Sequence, residues 1–130
     1  MKVLALDYGS ARTGVAVSDP TGTVARPLGV VERAGSESGL AELARLAREE
    51  EAERVVVGLP LTLRGTRGEQ AEETEQFVAT LRGVLDVPVE LFDERFTTDL
   101  AQQTAGAAPE DALAAAHLLS TYLEWCAARS

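Results

Sequence analysis

Apolar residues along this chain occur in two patterns: short continuous runs, and longer stretches in which they recur at helical spacing. A short apolar run bounded by turn residues is typical of a buried strand, whereas recurrence at i, i+3, i+4 and i+7 is typical of an amphipathic helix. The predicted elements are strands over Lys2–Leu6, Thr13–Ser18 and Val24–Glu32, a helix over Glu37–Glu51, a strand over Val55–Gly58, a helix over Glu69–Arg82, a strand over Val87–Phe92 and a helix from Pro109 to Ala128.

The order of these elements, β-β-β-α-β-α-β-α, predicts an α/β domain with one mixed five-stranded sheet and helices on both faces. The first two strands are close enough in sequence to form a hairpin. Pro27 and Gly29 interrupt the third strand, which indicates an edge position or a bulge. Because no repeat, low-complexity tract or linker divides the chain, residues 1–130 are expected to form a single domain.

The composition limits the classes of function. A hydrophobic content of 45% and a charged content of 25% are typical of a soluble globular protein, and no apolar run is long enough to span a bilayer. The single cysteine, Cys126, allows no intramolecular disulfide, so we expect a cytoplasmic protein. The net charge of −9 argues against a broad basic face for nucleic acid. It still allows an enzyme that meets phosphates through metal ions and a few local arginines.

Acidic residues stand at the ends of two predicted strands, where open α/β sheets place their sites. Asp7 directly follows the first apolar run, and a charge next to a buried strand is costly unless it has a partner. Asp93 and Glu94 follow the last strand and point to opposite faces by the period of two, so only one of them easily joins Asp7. The other is expected to be a solvated loop residue.

Asp111 is the third acidic candidate. On the final helix it shares a face with Ala114 and Ala115, whose small side chains would bring that face close to the sheet. An acid in the first turn of a helix is also favoured by the helix dipole alone, so a purely structural role stays open. Converging carboxylates repel one another unless a cation lies between them, and oxygen ligands without His or Cys indicate Mg²⁺ or Mn²⁺. Two such ions ~4 Å apart would support phosphodiester cleavage.

Four arginines could contact phosphates near these acids: Arg12 beside Asp7, Arg64 and Arg67 in a glycine-containing loop, and Arg95 after Glu94. The alternative is that all four are solvated or pair with the many acids. The aromatic residues are too few and too scattered along the chain to predict a base-stacking platform.

Four segments resemble, in order, the motifs of one family. The stretch 7–19, DYGSARTGVAVSD, is similar to the N-terminal signature of the YqgF family, also called RuvX. Further matches are GLP at 58–60 with Gly65 and Gly68, DERFTT at 93–98, and DALAA at 111–115. The family is associated with Holliday junction resolution and, in bacteria, with nuclease activity on pre-16S rRNA.

The resemblance implies an RNase H-like fold and an acidic triad of Asp7, Glu94 and Asp111, which would act as catalytic residues and metal ligands. It selects Glu94 over Asp93, which the spacing alone does not. The implied function is Mg²⁺- or Mn²⁺-dependent cleavage of structured RNA during 5′-end maturation of pre-16S rRNA. One alternative is a Holliday junction resolvase, which would cut branched DNA as a homodimer. Another is an rRNA-binding assembly module that does not cleave.

One segment departs from the family pattern. Family members usually carry a longer, strongly basic segment before the final helix, whereas residues 99–110 contain no Lys or Arg. We therefore expect nucleic-acid binding to be weak, to depend on Arg12, Arg64, Arg67 and Arg95, or to need a partner.

Overall fold

The computed structural model describes residues 1–60, 68–93 and 110–129. Every predicted element is present, and each predicted boundary lies within about two residues of the observed one. The elements in chain order are β1 (Val3–Asp7), β2 (Arg12–Ser18), β3 (Ala25–Glu32), α1 (Glu37–Glu49), β4 (Arg54–Leu59), α2 (Glu69–Arg82), β5 (Val89–Asp93) and α3 (Glu110–Arg129).

The strands form one mixed sheet in the order β3-β2-β1-β4-β5, which confirms the predicted α/β class. The β1/β2 and β2/β3 pairs are antiparallel, whereas β1/β4 and β4/β5 are parallel. β3 lies at an edge, and its register shifts where Gly29 and Pro27 face β2. The proline and glycine therefore marked both an edge strand and an irregularity, because neither residue suits a continuous central ladder.

The helices cover both faces of the sheet. Side chains on a strand alternate between faces, so Leu4 and Leu6 of β1 pack with α1 and α2, whereas Val3 and Ala5 pack with α3. This division places α3 alone on one side of the sheet among the described residues. It also means that residues of β1 with odd numbers face α3.

Single residues mark the start of α1 and the end of α2, as their residue types predict. The side chain of Ser36 accepts a hydrogen bond of 3.1 Å from the N–H of Gly39, which caps the start of α1. Gly83 is the C-terminal cap of α2. No helix in the described ranges is both long enough and apolar enough to cross a membrane.

The turn between β2 and β3 is organised around Asp19. Its carboxylate accepts hydrogen bonds from the hydroxyl of Thr21 and from the N–H groups of Thr23 (2.8 Å) and Val24 (2.9 Å). These bonds, led by the one from Thr21, favour the charged form and hold the pKa of Asp19 well below its usual range.

Candidate active site

Asp7 ends β1 on the face of the sheet that α3 covers. It is half-buried and lies opposite Gly14 in the antiparallel pair with β2. Val3 and Ala5 belong to the core beneath α3, so the alternation of β1 assigns Asp7 to the same face. The first predicted acid therefore lies at the end of a central strand, beside a residue that has no side chain.

The absence of a side chain at Gly14 allows α3 to begin against the sheet. A Cβ atom built on Gly14 would lie 1.8 Å from the backbone oxygen of Asp111 and 3.1 Å from the nitrogen of Ala112. No real carbon atom can occupy such a position, so only glycine permits this contact. Because Gly14 is also the partner of Asp7, the same residue adjoins both Asp7 and Asp111.

The close approach of α3 differs in detail from the sequence-based expectation. Ala114 is only half-buried, whereas Ala112, Ala115 and Ala116 are buried against the sheet. The inward face of α3 is thus rotated slightly from the predicted one, because the contact with Gly14 sets the position of its first turn. Asp111 consequently lies at the margin of that face rather than pointing fully inward.

Asp111 forms an ion pair with Arg12 at the start of β2. Arg12 Nε lies 3.3 Å from Asp111 Oδ2, with the two side chains 66% and 36% exposed. An ion pair this exposed contributes at most about 1 kcal/mol to stability, so it does not hold α3 in place by itself. It does place one of the predicted phosphate-binding arginines directly beside a predicted metal ligand.

The remaining predicted site residues divide into two groups. Asp93 ends β5 and pairs with Leu59. It lies two residues after Leu91 and therefore on the same face of the sheet, and Leu91 packs on the α1/α2 side. It therefore lies on the face opposite Asp7, as the period of two predicts for one member of the Asp93/Glu94 pair. The other predicted residues lie outside the described ranges: Glu94, Arg64, Arg67 and Arg95.

The donor set fits a hard divalent cation as far as the described residues extend. Asp7 and Asp111 offer carboxylate oxygens at the same end and face of the sheet, the ligand type that Mg²⁺ and Mn²⁺ prefer. Within residues 1–60, 68–93 and 110–129, no three His, Cys, Asp or Glu side chains are grouped closely enough to hold a metal ion. The third predicted ligand, Glu94, is not among those residues.

A polar cleft of about 190 Å³ opens beside Asp7, between the ends of β1 and β4 and the start of α2. The turn after Asp7 is tight because Gly9 lies against the carbonyl of Arg12, where a Cβ would come within 2.5 Å of the oxygen. The residues that line the cleft are Asp7, Tyr8, Gly9, Ser10, Pro60, Gln70, Glu73 and Thr74.

Comparison with known families identifies the chain. A family model described as "RuvX: Holliday junction resolvase" matches residues 1–125. The chain belongs to the RuvX family. The resemblance seen in the four sequence segments is thereby confirmed, and the family is one of nucleases and resolvases.

Curated relatives of this RuvX chain carry the name "Putative pre-16S rRNA nuclease". One from Chloroflexus aurantiacus is 44% identical over 131 residues, which cover 94% of this chain and 86% of the relative. Another, from Syntrophomonas wolfei, is 35% identical and covers 95% of this chain and 94% of its own.

Solved structures confirm the RNase H-like fold. Thermus thermophilus RuvC in complex with a Holliday junction superposes with a TM-score of 0.60 at 18% identity, over 97% of this chain and 96% of RuvC. The Fowlpox virus resolvase, also bound to a Holliday junction, gives a TM-score of 0.57 at 12% identity, over 97% and 99% of the two chains. At these identities the likeness concerns the fold.

Two aromatic residues of the RuvX chain form a contact that the sequence analysis missed. The rings of Tyr8 and Phe77 are stacked, with centroids 4.3 Å apart and planes inclined by 19°. The residues are far apart along the chain, so no local pattern relates them. Residues scattered along the chain therefore meet in this pair, and the expectation that the aromatics form no base-stacking platform stays a prediction.

A second polar cluster lies where β4 begins, at the other end of that strand from the Asp7 site. The hydroxyl of Tyr122 donates a hydrogen bond of 2.6 Å to Glu90 and accepts one of 2.8 Å from Arg54. Burial, and next the bond to Glu90, raises the pKa of Tyr122 far above its usual range. The phenol therefore stays neutral and joins two charged side chains of neighbouring strands, a structural role.

Proposed function

We propose that this protein is a metal-dependent endonuclease that cleaves the precursor of 16S rRNA. The proposal rests on one structural observation above all, the contact of Gly14 with the backbone of Asp111 beside Asp7. Two acidic residues from distant parts of the chain thereby adjoin the same glycine through their backbones, in a chain of the RuvX family whose curated relatives are named for pre-16S rRNA.

The proposed site residues have two roles, metal binding and phosphate binding. Asp7 and Asp111, together with Glu94, would hold one or two Mg²⁺ or Mn²⁺ ions. When bound, these ions would supply the positive charge that polarises a phosphodiester and activates a water molecule. Arg12, 3.3 Å from Asp111, would orient the substrate phosphate. Arg64, Arg67 and Arg95 are proposed to hold neighbouring phosphates.

The deciding experiment replaces one carboxylate without changing its size. We expect the purified protein to cleave a structured pre-16S rRNA fragment with Mg²⁺ or Mn²⁺, and Asp7→Asn to slow cleavage by about 100-fold or more. Asp86→Asn is the matched control, because Asp86 is exposed and precedes the start of β5, whereas the candidate site lies at the other end of the sheet. Full activity of Asp7→Asn would refute the proposal, as would an equal loss in both variants.

The choice of Glu94 over Asp93 has its own test. Asp93 lies on the α1/α2 side of the sheet, away from the face of Asp7, which leaves the next residue as the candidate. We expect Glu94→Gln to abolish cleavage and Asp93→Asn to retain most of it. The reverse result would move the third ligand to Asp93.

Holliday junction resolution is the second candidate, and the family description favours it. A resolvase must cut two strands symmetrically and so needs two sites, which predicts a homodimer. Cleavage of a four-way DNA junction in preference to the rRNA fragment, by a dimer, would support this candidate. A protein that binds the rRNA fragment but cleaves neither substrate would instead be an assembly module.

A further inference from the structure

Tyr8 provides an aromatic surface directly next to the candidate active site. It follows Asp7 in the chain, and its ring stacks on Phe77 of α2 at 4.3 Å. Phe77 is 4% exposed, whereas Tyr8 is only half-buried. Phe77 thus forms the buried backing of the pair, and Tyr8 is the member that reaches the surface.

Two clefts meet at Tyr8. The first, of about 190 Å³, includes Asp7 and Gln70. The second, of about 370 Å³, includes Gln76 and Phe77. Tyr8, Ser10 and Glu73 line both clefts, so the two clefts adjoin at the tyrosine and together form a groove that extends from beside Asp7 to α2.

The lining of this groove fits a nucleobase better than a phosphate or a protein side chain. Apart from the aromatic pair, most of the groove consists of amides, hydroxyls and two carboxylates, groups that can hydrogen-bond to base edges. Glu73 adjoins both clefts and would repel a phosphate, but it can accept from the amino or imino groups of a base. Stacking on an aromatic ring needs no particular base, because every base has a π face.

The geometry of β1 relates the two surfaces. Asp7 faces α3, and Tyr8 faces α2 because adjacent residues of an extended chain point to opposite sides. A strand whose phosphate lies at Asp7 could therefore pass over the end of the sheet and place a neighbouring base against Tyr8. A base paired in a duplex cannot offer its face in this way, so the nucleotide must be unpaired.

We propose that Tyr8, backed by Phe77, stacks on an unpaired nucleobase of the RNA strand whose phosphodiester lies at Asp7. The groove is then a specificity site that selects single-stranded or looped RNA over fully paired RNA. This inference rests on the proposed nuclease function for its substrate.

The test uses an RNA stem with an internal loop that carries 2-aminopurine, a base whose fluorescence is quenched by stacking. With the full-length protein and Mg²⁺, stopped-flow mixing records quenching before any cleavage occurs. We expect quenching with wild-type protein and with Tyr8→Phe, which keeps the ring. Tyr8→Leu should abolish the quenching and weaken binding by about 5- to 150-fold, the range that loss of one base stack implies. Trp125→Leu, which removes an exposed aromatic residue of α3, is the control and should behave like wild type.

Quenching that persists in Tyr8→Leu, or no quenching in the wild type, would overturn the inference. A second measurement avoids any effect of the substitution on folding: wild-type protein is photo-crosslinked to the same RNA carrying 4-thiouridine in the loop. An adduct on Tyr8 or its groove supports the proposal, and adducts confined to other surfaces refute it. Because neither readout requires cleavage, a failure of the nuclease proposal would leave quenching intact. A failure of stacking would leave cleavage dependent on Asp7.

Discussion

Replacing Gly14 with alanine tests the contact on which the candidate site depends. The added Cβ would lie 1.8 Å from the backbone oxygen of Asp111, whereas real Cβ contacts essentially never fall under 3.0 Å. The obstructing atom belongs to the backbone of α3, so a change of side-chain rotamer cannot relieve the clash. The start of α3 must move away from β2 by more than about 1 Å.

This displacement has two calculable consequences. Overpacking of a tightly packed contact typically costs about 1–3 kcal/mol, which for a domain of this size lowers the melting temperature by about 4–11 °C. The movement also separates Asp111 from Asp7. A misplacement of about 1 Å in a catalytic group costs about 100-fold in rate, so activity should fall far more than stability.

Thermal unfolding and RNA cleavage measured on the same samples separate the two effects. Gly29→Ala is the matched control, because Gly29 lies in the neighbouring strand β3 and nothing is within 4 Å of its added Cβ. We expect Gly29→Ala to retain wild-type stability and activity. If Gly14→Ala did the same, α3 would not begin against β2, and the account of the site would be wrong.

Three further variants probe electrostatics, two of them away from the candidate site and one at Arg12. Asp19→Asn should cost more stability at pH 7 than at pH 3, because a carboxylate with a lowered pKa stabilises the fold fully above its usual pKa of 3.8 and loses this effect progressively as the pH falls from that value towards the lowered pKa; urea unfolding at both pH values measures the difference. Tyr122→Phe should lower the free energy of unfolding by about 1–2 kcal/mol, because Arg54 and Glu90 lose the hydroxyl that bridges them. Arg12→Gln should weaken RNA binding and make the slope of log K against log[salt] shallower by about 0.7, the value for one lost contact to a single strand.

Each of these variants has an outcome that contradicts its rationale. An equal effect of Asp19→Asn at pH 7 and pH 3 would mean that the charge at Asp19 is not stabilised by its turn. Unchanged unfolding of Tyr122→Phe would mean that the bridging hydroxyl contributes nothing. An unchanged salt slope for Arg12→Gln would remove Arg12 from the phosphate-binding set.

The fold could be predicted from the sequence because its signals are local. The apolar runs of β1 and β4 are short and bounded by turn residues, and α2 begins and ends at the residues that its periodicity predicts. Pro27 and Gly29 predicted the irregular edge strand, because proline has no N–H to donate to the ladder and glycine weakens a continuous strand. None of these inferences needed a contact between distant parts of the chain.

The groove at Tyr8 could not be predicted in this way, because stacking depends on where α2 lies over the sheet. Tyr8 and Phe77 are too far apart in sequence for any periodic pattern to relate them, and each residue alone is typical of a protein core. Only the packing of α2 against the end of β1 reveals that one ring backs the other. Composition and spacing could therefore not predict this contact.

Asp111 shows where sequence patterns reach their limit. An acid in the first turn of α3 is favoured by the helix dipole whether or not it binds anything, so its position in sequence could not distinguish the two roles. The structure adds Gly14, which lies opposite Asp7 and leaves no space for a side chain beneath the backbone of Asp111. A capping acid alone would not require this contact, because the dipole acts equally on a helix that begins farther from the sheet. The glycine accounts for why this helix begins here, and the proposed site shared with Asp7 would account for the acid.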